Sequence, residues 1–564
     1  MKISKIHIEN FRSIKNLDLD VPEICCLVGP NNAGKSNILL AVQRVLARDW
    51  VSVTSFDELD VYAHQHDSDV TIQISFDPGI PFARFKGVES VAIRTLAFEY
   101  TRYKVGPDKG RRRLEQKCFD EHGKPPMVLM KAPKKGEKHE YQPLVNIPSD
   151  VRESVPLIYI GTNRALKEQL PGARYSMLRQ LFEDINRELQ DPKLTVKVKQ
   201  QDGSEVEVSR LQRFQALMEG AVSLLRTDSF KALESSIKKN ALQQLGFDPA
   251  TDTDKLDLFF SPFDTMDFYK ALDLRVREGD FSVSATELGE GIQNALVLAI
   301  LKAFEERRKQ GAILLIEEPE MFLHPQMQRS LYKTLRDIGK TNQIIYTTHS
   351  PHFISIPEYN EVVIVRKGTD GTKVRCSNLP TNEKRKEKLI KELDPERNEL
   401  FFASRLLLVE GDTEKLALPE YAKRLNLELD RAGATIVEVG GKRNLPEFAQ
   451  IAASFEIPTG IVYDEDSSDF DDKGEESKFN AALEGFARKD GSVLVWRFSK
   501  KYEDHLRKAI GETKYQELCQ KYPHVGKPTR ARLIATETEL PIPEPVPEIL
   551  AWLANKPHGN PAGA

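Results

Sequence analysis

Cysteine is scarce in this chain: there are five among 564 residues (Cys25, Cys26, Cys118, Cys376 and Cys519), with no CxxC-type pair. A zinc site is therefore not expected, and thiols packed as small hydrophobes in a reducing cytoplasm are. No apolar run is long enough to span a bilayer. The opening MKISKIHIENF lacks the apolar stretch of a signal peptide. Neither sign of charge dominates: 81 Lys and Arg face 85 Asp and Glu, for a net charge of -4. That balance does not advertise nucleic acid, yet does not exclude it, because one local basic patch is sufficient. Internal repeats are absent as well. A cytoplasmic protein is expected. What the chain does have is length, too much for a single hydrophobic core, so two or more domains are expected.

The first residues alternate apolar and polar (KISKIHIENFRSIKNLDLDV) and predict a β-hairpin. ICCLVG predicts a short buried strand, SNILLAVQRVLARD a helix, and VTIQISFD at 70–77 a further strand. Residues 102–138, rich in Lys and Arg and broken by Gly and Pro, predict an exposed hairpin or loop. It reads first as solvated and second as a contact for DNA phosphates. Between about 165 and 250 the pattern is helical. Leu178, Leu181, Phe182, Ile185 and Leu189 share one face, as do Phe214, Leu217, Met218, Ala221 and Leu225. Such stripes read first as core, and alternatively as an insertion that pairs two subunits. The expected organisation is an α/β chain in four parts. A first α/β domain covers 1–378, including the insertion at about 165–250, and a charged helical connector covers 379–400. A second α/β domain covers 401–538, and a Pro-rich, largely extended or disordered tail covers 539–564.

GPNNAGKSN fits the phosphate-loop pattern between a strand and a helix. Glycines at 29 and 34 let backbone N–H groups wrap phosphates, with Asn31, Asn32 and Asn37 in the same stretch. Lys35 supplies a point charge, and the Ser36 hydroxyl supplies a ligand for Mg²⁺. AILLIEEPE (312–320) is an apolar strand ending in acids. Glu317 is the candidate Mg²⁺ holder and Glu318 the residue that orients the attacking water. QIIYTTHS repeats the strand-then-polar design and offers His349 to a γ-phosphate. ELGEGIQNALVLAI (287–300) opens a helix with Gly289 and Gly291 followed by Gln293, an arrangement that suits an anion.

A second acidic cluster follows. RLLLVEGDTEKL predicts a buried strand that delivers Glu410, a tight turn at Gly411, and Glu414 in the first turn of a helix. IPTGIVYDED predicts another strand delivering Asp464 and Asp466, which point the same way if the chain stays extended. Strand ends of an open parallel sheet gather at one edge, so the four carboxylates can converge. Without cations they repel and raise each other's pKa values, and divalent ions resolve that conflict. Oxygen-only ligands favour Mg²⁺ or Mn²⁺ over zinc. KKYEDHL adds Glu503 and Asp504 as further candidates, and VGKPTRARLIA adds Lys527, able to neutralise charge developing on a phosphate.

The order of phosphate loop, glycine signature, acidic strand and histidine switch resembles the ABC ATPase superfamily, and within it the SMC-like and RecF-like branch, whose members also open with a strand carrying NFRSI (here Asn10 to Ile14). In that family the signature of one subunit closes over ATP held by another, so the resemblance implies a dimer. LGEGIQ departs from the usual LSGGQ, and Glu317 stands where most members carry Asp. The second cluster resembles a Toprim domain. The linked set GPNNAGKSN, IYIGTNRAL, LGEGIQ, LLLIEEPEMFLHP, TTHSPHF, RNELFFASRLLLVEGDTE and YDED resembles the OLD (overcoming lysogenisation defect) nucleases, among them the nuclease subunit of the Gabija defence system. The resemblance implies a fold: an N-terminal ABC-type ATPase with a helical dimerisation insertion, then a C-terminal Toprim α/β domain. It implies metal-dependent DNA cleavage regulated by ATP with Mg²⁺, self-association as a dimer or tetramer, and, for the Gabija type, a helicase partner. Two other readings stay open on the residues: a non-catalytic RecF-like DNA-binding clamp, and an RNA-directed Toprim nuclease.

Overall fold

The computed structural model describes residues 1–47, 51–64, 67–85, 88–129, 131, 140–155, 157–162, 166–173, 176–199, 204–245, 247–252, 255–256, 264–307, 311–380, 383–390, 395–466 and 474–555. Part of IYIGTNRAL, most of KAPKKGEK and the last nine residues fall outside that set. By its internal contacts the chain divides into two units, residues 1–162 with 310–564, and residues 163–309.

The first unit is built on an eleven-stranded sheet. One half is antiparallel. The hairpin Lys2–Phe11 and Ile14–Asp20 is extended on one side by Val70–Phe82, Val91–Arg102 and Arg112–Phe119. The other half runs parallel in the order Val362–Gly368, Ile24–Val28, Gln343–Thr348, Ile313–Glu317, Leu157–Ile160. Parallel strands are covered on both faces, and these read accordingly: every residue of Ile24–Val28, Ile313–Glu317 and Gln343–Thr348 is buried. The consequence is functional. The phosphate loop, Glu317 and His349 all leave the carboxyl ends of adjacent strands.

Of the exposed hairpin or loop expected over 102–138, residues 112–119 form a hairpin strand that is half-buried rather than exposed. They pair as a strand along Val91–Arg102, and their cations are matched: Arg112 with Glu58 at 3.0 Å and Lys117 with Glu99 at 2.6 Å. Cross-strand opposite charges stabilise a sheet edge in this way. Cys25, Cys26 and Cys118 are buried thiols, whereas Cys376 is exposed.

A smaller sheet of four parallel strands follows, in the order Ala434–Glu438, Arg405–Val409, Thr459–Asp464, Val493–Phe498. Its core joins Leu407, Val409 and Val462 to the helices Asp412–Arg424, Lys527–Thr536 and Val546–Ala554. The last of these corrects the expectation of a largely extended or disordered tail. Val546, Ile549, Leu550 and Leu553 are fully buried, at the i, i+3, i+4, i+7 spacing of a helix face. The prolines at 541, 543 and 545 obscured that spacing, although Pro before or at a helix start is compatible with it.

The second unit is less helical than its sequence suggested. Helix Met177–Leu189 is followed by a two-stranded hairpin, Thr195–Lys199 with Glu205–Ser209, before helices Arg210–Leu225 and Asp228–Gln244. TVKVK and EVEVS alternate with period two, which a helical count over the whole window averages away. Ser209 then starts the next helix through a reciprocal cap with Gln212. The two apolar stripes also part company. Phe182 of the first stacks on Tyr269, whereas Leu217 and Leu225 of the second are 55% and 59% exposed. Neighbouring Leu224 is 81% exposed. The helix signature region lies in this unit, with Gly289 just ahead of helix Glu290–Arg307.

Candidate functional sites: a phosphate loop and a Toprim carboxylate cluster

The phosphate loop joins strand Ile24–Val28 to helix Lys35–Leu46. Two glycines in it are obligatory. Gly29 (φ 151°) would place a Cβ 2.1 Å from the Val365 carbonyl oxygen, and Gly34 (φ 106°) one 2.2 Å from Thr372 Oγ1. Thr372 in turn donates to the Ala33 carbonyl at 2.9 Å. Asn37 Nδ2 donates to Ser13 Oγ at 2.8 Å, tying the NFRSI turn to the loop. Asn31, Asn32 and Ser36 are exposed at its rim.

Lys35 is buried. Its Nζ donates to the carbonyls of Gly29 (2.9 Å) and Pro30 (3.1 Å) and lies 2.8 Å from His349 Nε2. Burial pushes its pKa down to about 8. Burial, and then the charge of Lys35, hold His349 below its ordinary value. Nε2 is therefore the acceptor of a neutral imidazole. Glu318 Oε1 stands 3.6 Å from the same ring. Glu318 also carries a left-handed backbone (φ 41°), a strain of about 1–3 kcal/mol for a non-glycine residue and one that clusters at functional positions. Its N–H is held by Thr347 through both the carbonyl and Oγ1, each at 3.0 Å. Glu317 is buried beside Tyr159, whose hydroxyl pKa is raised by burial first and by that carboxylate second. Sequence reasoning missed Glu320. Its Oε1 accepts from Thr348 Oγ1 (2.8 Å) and from the His349 N–H, and so seats the histidine. Gln293, in the other unit, turns its amide onto the carbonyls of Thr286 and Leu288, while Gly291 follows at the helix start.

In the smaller sheet, Glu410 leaves strand Arg405–Val409 and Glu414 sits in the first turn of helix Asp412–Arg424, only 6% exposed. Asp464 ends strand Thr459–Asp464. Glu410 Oε1 accepts from the Asp464 N–H at 2.7 Å, and Asp464 Oδ1 accepts from the Tyr502 N–H at 2.9 Å. The expected extended register of Asp464 and Asp466 does not hold: the strand stops at 464 and Asp466 is left-handed (φ 50°). Its carboxylate lies 3.8 Å from Lys442 and 3.7 Å from Lys501. Glu503 pairs with Lys527 at 2.9 Å. Asp504 is 3.9 Å from Arg507 on its own helix.

Like charge and burial are visible in the protonation of the cluster. Burial, then the charge of Asp464, raise Glu414 to about 8. Burial raises Glu410 to about 7, with Asp464 adding to it, and Asp464 to about 6, with Asp466 adding to it. Among the described residues, no three Asp, Glu, His or Cys groups close around one point at ligand distance. The donor set is nonetheless all carboxylate oxygen, with Glu414 buried and Glu410 and Asp464 half-buried, which fits a hard divalent ion.

The AAA ATPase domain family matches residues 1–354, and the overcoming lysogenization defect protein-like Toprim domain matches residues 401–466. The chain belongs to the AAA ATPase domain family and carries an overcoming lysogenization defect protein-like Toprim domain behind it. An OLD nuclease of Thermus scotoductus is 29% identical over 84% of this chain and 84% of its own length. The Old nuclease of Escherichia phage P2 is 25% identical over 82% of this chain and 77% of its own. Endonuclease GajA of Bacillus cereus is 24% identical over 78% and 71% respectively. An SMC head bound to the winged-helix domain of ScpA covers 68% of this chain at a TM-score of 0.39 and 15% identity. An ATPase domain is thus followed in this chain by an OLD-like Toprim domain. No helix among its described residues is long and apolar enough to cross a membrane.

The two sites meet in one unit through residues 397–402. Asn398, 5% exposed, donates to the carbonyls of Pro351 (2.9 Å) and Ile354 (2.7 Å), in the turn directly after His349. The adjacent Arg397 binds Glu438 through its carbonyl and its carboxylate, each at 2.8 Å, at the end of the strand beside Glu410. Nothing in the spacing of RNELFF announced this bridge.

Proposed function

We propose that this protein is a metal-dependent DNA endonuclease of the cytoplasm, governed by ATP bound in its N-terminal domain and acting in anti-phage defence. The observation that carries the reading is the juxtaposition of Glu410, Glu414 and Asp464, one buried and two half-buried carboxylates from three elements, at the carboxyl edge of a parallel sheet. Glu410, Glu414, Asp464 and Asp466 would hold Mg²⁺ or Mn²⁺, with Glu503 at the margin. A bound ion would activate the attacking water and stabilise the leaving oxygen of a phosphodiester. The chain's own contribution is positional. Glu410 and Tyr502 hold Asp464 by its N–H and its carboxylate, and Lys527, swung from Glu503, neutralises charge on the scissile phosphate.

In the ATPase half, Lys35 and Ser36 take the phosphates and their Mg²⁺, Glu317 completes that metal site, and Glu318 orients water. His349 reads the γ-phosphate, and Gly289, Gly291 and Gln293 of a second subunit close the site. Self-association as a dimer or tetramer through helices Arg210–Leu225 and Asp228–Gln244 is supported by their exposed leucines. DNA as substrate is supported by the nuclease and endonuclease relatives, and a helicase partner by the resemblance to the Gabija nuclease.

Supercoiled plasmid incubated with Mg²⁺ or Mn²⁺, with and without ATP, tests the reading. Wild type yields nicked or linear product and Asp464→Ala yields none. Intact plasmid at every metal concentration, with ATP-dependent DNA binding retained, identifies a clamp instead. Cleavage of structured RNA alone identifies an RNA-directed enzyme. Equal cutting by both proteins removes the carboxylate assignment.

A further inference from the structure

Lys442 is a lysine buried among acids at a place no motif marked. It lies 8% exposed in the loop after strand Ala434–Glu438. That loop is stitched to the strand bearing Glu410: Val439 N–H donates to the Val409 carbonyl at 3.1 Å, and Gly441 N–H to the Glu410 carbonyl at 2.8 Å. Gly441 reaches this position with φ 112°, a conformation open to glycine and costly to other residues. From there the Lys442 ammonium donates to the carbonyl of Asp464 and, at 3.2 Å, to that of Glu465. It also lies 3.8 Å from Asp466 Oδ2, 3.4 Å from Glu476 Oε2 and 5.3 Å from the centre of the Tyr463 ring.

The contacts to carbonyls matter more than the charge pairs. Asp464 is gripped on both peptide faces, its N–H by Glu410 and its carbonyl by Lys442. Beyond it the strand ends and the chain turns left-handed at Asp466, its backbone tied to the neighbouring strand's end by Glu465 N–H to the Phe498 carbonyl at 2.9 Å and Asp466 N–H to the Lys500 carbonyl at 3.0 Å, while Lys442 holds the carbonyl side of the same segment. An ammonium group with three donors can span two successive carbonyls and still face the next carboxylate. Burial of such a group is tolerated only when its donors are met, and here all the partners lie on the segment that carries the two aspartates or on Glu476.

We propose that Lys442 is a positioning residue of the Toprim site, holding the chain at Asp464–Asp466 so that both aspartates present their carboxylates to one divalent ion. This rests on the reading of Glu410, Glu414, Asp464 and Asp466 as the metal-holding set. The sign of its effect separates it from simpler roles. Removing a positive charge beside carboxylates tightens cation binding by Coulomb's law. Removing a positioning group loosens it, by about 10- to 100-fold where the group orients metal ligands.

Mn²⁺ titration of the nucleotide-free full chain by calorimetry, alongside thermal melting, decides between them. The wild-type signal is defined as the part that Asp464→Ala abolishes. Lys442→Met is expected to weaken that binding about 10-fold or more while melting cooperatively, and Lys442→Arg is expected to restore most of it. Should Lys442→Met fail to fold, Lys442→Gln, which keeps a donor without the charge, carries the same expectation at smaller size. Unchanged or tighter Mn²⁺ binding in the folded variant overturns the proposal while leaving the metal set intact. Wild-type binding that does not depend on Asp464 overturns the metal set, and Lys442 with it.

Discussion

Nζ of Lys35 lies 2.8 Å from Nε2 of His349, so the cation that a phosphate would claim is held by the histidine that would sense it. A phosphate arriving in the loop takes Lys35 from that ring and relieves part of what depresses the His349 pKa. Lys35→Ala is therefore expected to lower ATP hydrolysis by about 100- to 1,000-fold, the scale for losing a donor aimed at transition-state charge. The ATP response of DNA cleavage should vanish with it, while nucleotide-free cleavage persists. Retained hydrolysis in that variant, measured by phosphate release, would refute the assignment of the loop.

Metal binding should depend on pH in a defined direction. Glu410, Glu414 and Asp464 have folded pKa values of about 7, 8 and 6, above those of ordinary carboxylates. Groups raised in this way contribute stability below their unfolded values and lose it as pH rises through the folded ones. The metal-free protein thus loses stability between about pH 5 and pH 8, where an ion gains its ligands. Mg²⁺ should raise the melting temperature more at pH 8.5 than at pH 6, and Asp464→Ala should flatten the difference. A shift of equal size at both pH values would contradict the shared burial of these acids.

Asn398 offers a test of communication between the sites. Its two hydrogen bonds hold the turn after His349, and its neighbour Arg397 holds Glu438. Asn398→Ala leaves two buried carbonyls unmet and is expected to cost about 1–3 kcal/mol of stability. ATP hydrolysis should survive while its effect on plasmid cleavage shrinks. If ATP modulates the folded variant as fully as wild type, control runs by another route.

The C-terminal helix should behave as core. Leu550 is fully buried against the Toprim sheet and its helices, so Leu550→Ala is expected to destabilise by about 2–5 kcal/mol in urea unfolding. A change within experimental error would mean the helix does not dock.

Leu224, 81% exposed on its helix, should matter to assembly rather than to folding. Leu224→Glu is expected to leave the melting temperature nearly unchanged and to shift the mass measured by light scattering towards the monomer. An unaltered oligomer would move the subunit contact elsewhere.

Much of this protein was legible from local pattern. Gly29, Gly34 and Lys35 announced a phosphate loop because wrapping phosphates demands those residue types at that spacing. Runs such as LLLIEE and RLLLVEG showed buried parallel strands with acids at their ends, since a strand covered on both faces has little room for anything but apolar residues. Local pattern failed where partners are distant in sequence. The tail read as disordered because prolines hid four apolar residues whose value lies in the sheet they cover. TVKVK and EVEVS disappeared into a helical average. Asp466 was assumed to continue a strand that ends two residues earlier. Lys442 carried no signal and Asn398 only its place in RNELFFASRLLLVEGDTE, because a lysine or asparagine acquires its role from carbonyls brought to it by folding. The sequence determined which groups could do chemistry and at which strand ends they sit, because strand period, turn chemistry and motif spacing are local. Tertiary structure alone decided which carboxylates lose solvent together, which cations face them and how the two sites touch, because burial and Coulomb interaction act through space rather than along the chain.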